Sequence, residues 1–134
     1  MVDLTDHGEQ TLVLTSIHRT FAIGDIHGCH AALAALDRAI GFRADDVIVT
    51  LGLADQTDSM LFWEFFDAPL PHHSGRRMIC GHTPQHSGLP LNLGHAVCID
   101  TWVQRGGWLT CLDTGSNIYW QSNQSGEVRS GALE

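Results

Sequence analysis

The chain has 134 residues, a size that fits one ordinary domain spanning residues 1–134. Its hydrophobic content of 43% with only 16% charged residues suits a folded core and argues against disorder. A net charge of -8 disfavours non-specific attraction to nucleic acid or an anionic membrane, so neither is expected as a partner.

The first ten residues are acidic and polar, with no basic stretch leading into an apolar one, so no secretory signal is read there. No run approaches the roughly 18 apolar residues that span a bilayer. Four scattered cysteines, Cys29, Cys80, Cys98 and Cys111, form no C-x-x-C pair. Cys80, Cys98 and Cys111 lie in apolar runs, the setting of buried, reduced thiols. A soluble cytoplasmic protein is the expectation.

Thr11 to Ile17 alternates and is β-branched, a first strand candidate, and Thr20 to Gly24 is a second. His30 to Ile40 is rich in Ala and Leu and predicts a helix with an apolar stripe at Leu33, Leu36, Ala39 and Ile40, ended by Gly41. Val47 to Leu51 is a continuous apolar run, the pattern of a buried strand, which completes a βαβ unit with a parallel pair. Thr57 to Asp67 predicts a second, short helix stopped by Pro69 and Pro71.

Short strands follow at Arg77 to Cys80, His95 to Asp100, Gly107 to Asp113 and Asn117 to Ser122, separated by turn residues as in a meander or sheet edge. The polar tail from Asn123 to Glu134 is expected to fray. Trp102, Trp108 and Trp120 are expected to cover the sheet.

Two segments carry chemistry. Gly24-Asp25-Ile26-His27-Gly28 stands between a strand and a helix, where open α/β sheets bind ligands. If the segment is extended, Asp25 and His27 point the same way, and a carboxylate with an imidazole suits manganese, iron or zinc. A capping aspartate beside a loop histidine fits the same letters. Gly81-His82-Thr83-Pro84 follows a second apolar strand, and the two strand ends together suggest one site. His72, His73, His86 and His95 read as solvated loop residues.

The segment FAIGDIHGCHAALAALDRAIGF resembles the opening of the calcineurin-like metallophosphoesterases, of the bacterial serine/threonine protein phosphatase type. MICGHTPQHSGLPLNLGHAVCIDTWVQRGGWLTCLD resembles the closing segment of the same family. The resemblance implies an α/β fold, an incomplete calcineurin-like α/β/β/α sandwich, and hydrolysis of phosphomonoesters by a metal-activated water. Asp25, His27 and His82 match metal ligands and would share one position, whereas Asp100 matches a position not counted as a ligand.

The family would next show G-D-x-x-D-R-G; here Gly52 to Ser59 offers only Asp55 as a weak catalytic candidate, with Gln56 in the place of the arginine. The G-N-H motif is missing, and too few residues lie between Ser59 and Gly75 to hold it. One divalent ion at most is therefore expected, manganese, iron or zinc, with weak or residual turnover of a phosphorylated protein or a small phosphoester. A catalytically inactive relic that binds or oligomerises is the alternative. The shortening would leave Phe62, Trp63 and Phe66 under-protected, so self-association is expected.

Overall fold

The computed structural model describes residues 18–50, 66–67 and 69–134. Strand β1 (Thr20–Ile23) leads through a loop into helix α1 (His30–Ile40), which ends at Gly41 in the left-handed conformation (φ 59°). The Gly41 amide closes the helix on the Asp37 carbonyl at 2.9 Å, as the Ala- and Leu-rich run followed by glycine predicts. Strand β2 (Val47–Thr50) then pairs parallel to β1, so the expected βαβ unit is present.

The remaining strands are β3 (Met78–Cys80), β4 (Leu91–Asn92), β5 (Ala96–Cys98), β6 (Asp100–Thr101), β7 (Trp108–Asp113), β8 (Ile118–Ser122) and β9 (Val128–Ala132). A short 3-10 turn at Val103–Arg105 joins β6 to β7. The larger sheet runs in the order β2-β1-β7-β8-β9, with β6 paired to β7. The smaller one runs β3-β5-β4, with β3 and β5 parallel.

Alternation along the strands sorts the core into two layers. Phe21 and Ile23 of β1 join Leu109 and Cys111 of β7 against Ala32 and Leu36 of α1. Ala22 and Leu112, on the opposite face, pack with Val97 and Ile99 beside the smaller sheet. A helix, a sheet and a second sheet are thus stacked in that order, a mixed α/β arrangement. Phe21 and Leu36 are both fully buried. Each such side chain contributes about 1.5–3 kcal/mol through burial.

Several sequence expectations change. The helix buries Ala32, Ala35 and Leu36, with Leu33 and Ile40 partly covered, while Ala39 is exposed. The contact stripe is therefore rotated from the one expected. Strand β2 is not buried: Val47, Ile48 and Val49 are 47%, 44% and 45% exposed, because among the described residues β2 ends the strand order and pairs with β1 on one side. His95 to Asp100 is two strands, broken at Ile99.

The tail does not fray. Val128–Ala132 pairs with β8 along its whole length, behind a turn in which Asn123 Oδ1 accepts the amides of Ser125 and Glu127. Arg129 anchors β9, donating to Gln121 Oε1 at 2.7 Å and lying 4.0 Å from the Trp108 ring centroid. The strand expected at Thr11 to Ile17 and most of the helix expected at Thr57 to Asp67 lie outside the described residues, as do Phe62 and Trp63. Among the described residues no helix is long and apolar enough to cross a membrane.

Candidate functional site

Both motifs stand at strand ends, and Ile99 joins them. Gly24 follows β1, and its amide extends the β1–β7 ladder by donating to the Thr110 carbonyl at 3.0 Å. A Cβ at Gly24 would lie 2.8 Å from the Ile99 carbonyl oxygen, so the end of β1 abuts the β5–β6 connection directly. On its other side the Ile99 amide donates to the Cys80 carbonyl at 2.9 Å, fixing the end of β3. Asp25 follows Gly24, and His82 follows Gly81 after β3, so this one residue draws the two motifs together.

Local turns aim the side chains. His27 (φ 46°) and Gly28 (φ 71°) are both left-handed, and the Cys29 amide closes the turn on the Ile26 carbonyl at 2.8 Å. Asp25 and His27 therefore do not lie on one face of an extended segment, as the sequence suggested; the turn folds the histidine back. His82 is also left-handed (φ 61°). For residues with a Cβ this conformation costs about 1–2 kcal/mol, and such outliers gather at functional sites.

The loop behind His82 is tied down. The Gln85 amide donates to the Asp100 carbonyl at 2.9 Å, the Cys98 thiol reaches the Thr83 carbonyl at 3.3 Å, and Thr83 Oγ1 accepts the Phe66 amide at 2.6 Å.

The outcome is convergence on one carboxylate. His27 Nε2 stands 3.6 Å from Asp25 Oδ2, and His82 Nδ1 stands 3.7 Å from the same oxygen. The Asp25 side chain is 17% exposed, whereas those of His27 and His82 are 41% and 46% exposed. Asp55 and Gln56 lie outside the described residues.

The fit to a metal ion is partial. Two donors bound at about 2 Å to one tetrahedral ion stand roughly 3.3 Å apart, so each Asp25–His separation is within a few tenths of that geometry. Yet among the described residues no group of three or more His, Cys, Asp or Glu side chains is placed to hold an ion. Each histidine forms a suitable pair with Asp25, but the three donors together do not close. Both rings are half-exposed, so turning them requires no repacking of the core.

Asp100 is the residue that the sequence reading did not count as a ligand. It is 3% exposed, and Oδ1 accepts the Trp102 amide at 3.0 Å. Burial pushes its carboxyl above the usual range and the Asp25 charge adds to this, while the Trp102 hydrogen bond and the charges of His27 and His82 act the other way. It therefore belongs to the electrostatic surroundings of the cluster. Its position right after the apolar strand Ala96–Cys98 and Ile99 was the available signal.

His72, His73, His86 and His95 make local contacts. His72 Nδ1 bonds Ser74 Oγ at 2.7 Å, and its ring lies 4.1 Å from that of His73. His95 Nε2 bonds the Pro69 carbonyl at 2.7 Å, and His86 meets Trp102 edge-on at 4.1 Å. Trp120 does cover the sheet, packing on Phe21.

No protein-family model, curated protein or solved structure matches this chain.

Proposed function

We propose that the chain is a metal-dependent phosphoesterase domain of the calcineurin-like type, closest in character to the bacterial serine/threonine protein phosphatases, with weak or residual hydrolysis of phosphomonoesters. The observation that carries this reading is the meeting of His27 and His82, from two separate strand ends, at one oxygen of Asp25. In the reading, Asp25, His27 and His82 hold at most one divalent ion, manganese, iron or zinc. The two layers of sheet with a helix on one side support an incomplete form of the four-layer α/β/β/α sandwich.

A bound divalent ion would supply positive charge for a phosphate and a lowered water pKa. The chain's own part is to orient that centre. Asp25 provides the negative charge common to both histidines, and the left-handed turns at His27 and His82 hold the rings toward it. An acidic protein needs such a local positive centre to attract a phosphorylated protein or small phosphoester. A cytoplasmic setting suits the four free thiols. Self-association is part of the same reading, supported by the exposed apolar edge at Val47, Ile48 and Val49.

A second reading has its own observation. Because no three-donor group among the described residues is placed to hold an ion, the domain is alternatively a non-catalytic relic that binds or oligomerises. Elemental mass spectrometry of the purified protein, before and after dialysis against manganese, separates the two. Close to one equivalent of ion, lost in Asp25→Asn, supports the enzyme reading. Metal content at background in both proteins leaves the relic.

A further inference from the structure

The smaller sheet brings two of the four cysteines side by side. Strands β3 and β5 run parallel with Ile79 opposite Val97 and Cys80 opposite Cys98. Ile79 packs against the core cluster that holds Val97, on the face turned to the larger sheet. Side chains alternate along a strand, so Cys80 and Cys98 stand together on the other face. Neighbouring strands lie roughly 4.8 Å apart, and a disulfide needs Cα atoms about 4.4–6.8 Å apart. Its Cβ atoms must come closer, to about 3.5–4.5 Å, so the two strands have to tilt together to form one. Each cysteine is the last residue of its strand, where a tilt disturbs the ladder least.

Both thiols are free, and both are connected to the His82 loop. The Cys98 thiol donates to the Thr83 carbonyl at 3.3 Å, and only Gly81 separates Cys80 from His82. Cys98 is fully buried, whereas Cys80 is partly exposed and is the thiol an oxidant reaches first. Burial pushes both thiols above their ordinary range, so closeness of the pair, not thiolate content, favours a reaction between them.

We propose that Cys80 and Cys98 are a redox-sensitive pair that closes into a reversible disulfide and thereby releases the loop carrying His82. With hydrogen peroxide as oxidant, the Cys80 sulfur takes one peroxide oxygen, forming a sulfenic acid and releasing water. The Cys98 sulfur then displaces the hydroxyl, which leaves as a second water with the Cys98 proton as the Sγ–Sγ bond forms. Two thiols and one peroxide give one disulfide and two waters, and two electrons pass from sulfur to oxygen. The bridged Cys98 has no S–H, so its bond to the Thr83 carbonyl is lost. The bridge also draws the end of β3 toward β5 immediately before Gly81, which shifts His82 relative to Asp25. Strained or exposed disulfides are the easily reduced ones, so a dithiol restores the loop. The pairing does not depend on the phosphoesterase reading.

The test exposes the full, native, reduced chain to hydrogen peroxide, blocks the remaining thiols and maps peptides without reductant. Histidine chemical shifts are recorded before oxidation, after it, and after dithiothreitol is added. The expected result is one link within the chain, Cys80 to Cys98, with Cys29 and Cys111 still free. The His82 signal should move on oxidation and return on reduction, and Cys80→Ser should show neither the link nor the movement. Oxygen added at Cys80 without a link overturns the pair, as do mixed pairings among the four cysteines or links between copies. Four intact thiols, under peroxide that oxidises the unfolded chain, overturn it as well. A Cys80–Cys98 link that leaves the His82 signal unmoved overturns the release of the loop, and the proposal with it.

Discussion

Gly24 and Ile99 meet backbone to backbone, with space for a hydrogen but not for a methyl group: a Cβ on Gly24 would stand 2.8 Å from the Ile99 carbonyl oxygen. Neither side is a flexible side-chain end, so a substitution must move a strand. Gly24→Ala is expected to cost about 1–3 kcal/mol, the range for overpacking a close contact. It is also expected to separate Asp25 from His82. Chemical denaturation measures the first effect and histidine chemical shifts the second; an alanine variant of wild-type stability would refute the contact.

Arg19 and Asp46 tie the starts of β1 and β2. Arg19 Nε donates to Asp46 Oδ1 at 2.8 Å and its terminal nitrogen to Oδ2 at 2.6 Å, while the Arg43 amide reaches Oδ2 at 2.7 Å. The Arg19 hydrogen bond is the main cause holding the Asp46 carboxyl below its ordinary value of 3.8, against the opposing effect of burial. A carboxylate whose folded pKa is depressed stabilises the fold above its unfolded pKa, and that contribution fades as pH falls through the folded value. Asp46→Asn should therefore be less stable than wild type at neutral pH, and the gap should narrow in acid well below 3.8. Urea midpoints at the two conditions decide it, and a gap independent of pH would be incompatible with this linkage.

The helix and the first strand were legible in the sequence because their signals are local. Alanine and leucine propensity with a terminal glycine defined His30–Ile40, and β-branched and aromatic residues defined Thr20–Ile23. Strand β9 was not legible, since Val128-Arg129-Ser130-Gly131-Ala132 is polar and small. Its order comes from contacts made across the sheet by Arg129 with Gln121 and Trp108. The motifs at Asp25 and His82 were readable as strand ends, but their meeting depends on Ile99, which has no chemical signature. The burial of Asp100 was not legible for a related reason: the letter of a buried aspartate is that of an exposed one, and only the packing distinguishes them.

Gln121 is the hub of a buried polar network. Its Nε2 reaches the Gly88 carbonyl at 2.9 Å and Thr110 Oγ1 at 2.8 Å, and its Oε1 accepts from Arg129. Arg129 also reaches the Gly88 carbonyl, so the loop between β3 and β4 is clasped from two sides. Removing one partner from a buried network leaves the others unsatisfied, at about 1–3 kcal/mol for each group stranded. Gln121→Ala should therefore lose at least about 2 kcal/mol and speed amide exchange at Gly88. An unchanged denaturation midpoint would show that the clasp contributes little.

The thiols should react in order of burial. Cys29, Cys98 and Cys111 are buried and Cys80 only partly so, and all four are free. Burial pushes Cys111 up to about 12, with the Asp113 charge adding to it, so almost no thiolate is present at neutral pH. Brief alkylation of the native protein should mark Cys80 before the others and spare Cys111 until the chain is unfolded. Peptide mass spectrometry reads the order; early labelling of Cys111 would contradict the packing of β7 against α1.

Activity is the last expectation, and it follows from what stands at the site and what does not. Metal-assisted hydrolysis needs a lowered water pKa, a held phosphate and an assisted leaving group, each worth several kcal/mol of the barrier. In the proposed reading Asp25, His27 and His82 would provide for the first in part; one carboxylate stands 3.6 and 3.7 Å from two imidazoles. For the second, Gln56 stands where the family resemblance calls for an arginine, and a neutral amide cannot grip a phosphate as a guanidinium does. For the third, the resemblance lacks its G-N-H segment, and with it the proton donor. Each missing contribution of about 3 kcal/mol removes roughly two orders of magnitude in rate, so hydrolysis of p-nitrophenyl phosphate with added manganese should fall several orders of magnitude below that of complete enzymes of this type. Whatever rate remains should disappear in both Asp25→Asn and His82→Ala. Because both side chains are partly exposed at strand ends, melts of the variants should stay near wild type, which separates a lost site from a lost fold. Full wild-type turnover that survives both substitutions would place the chemistry on residues other than these.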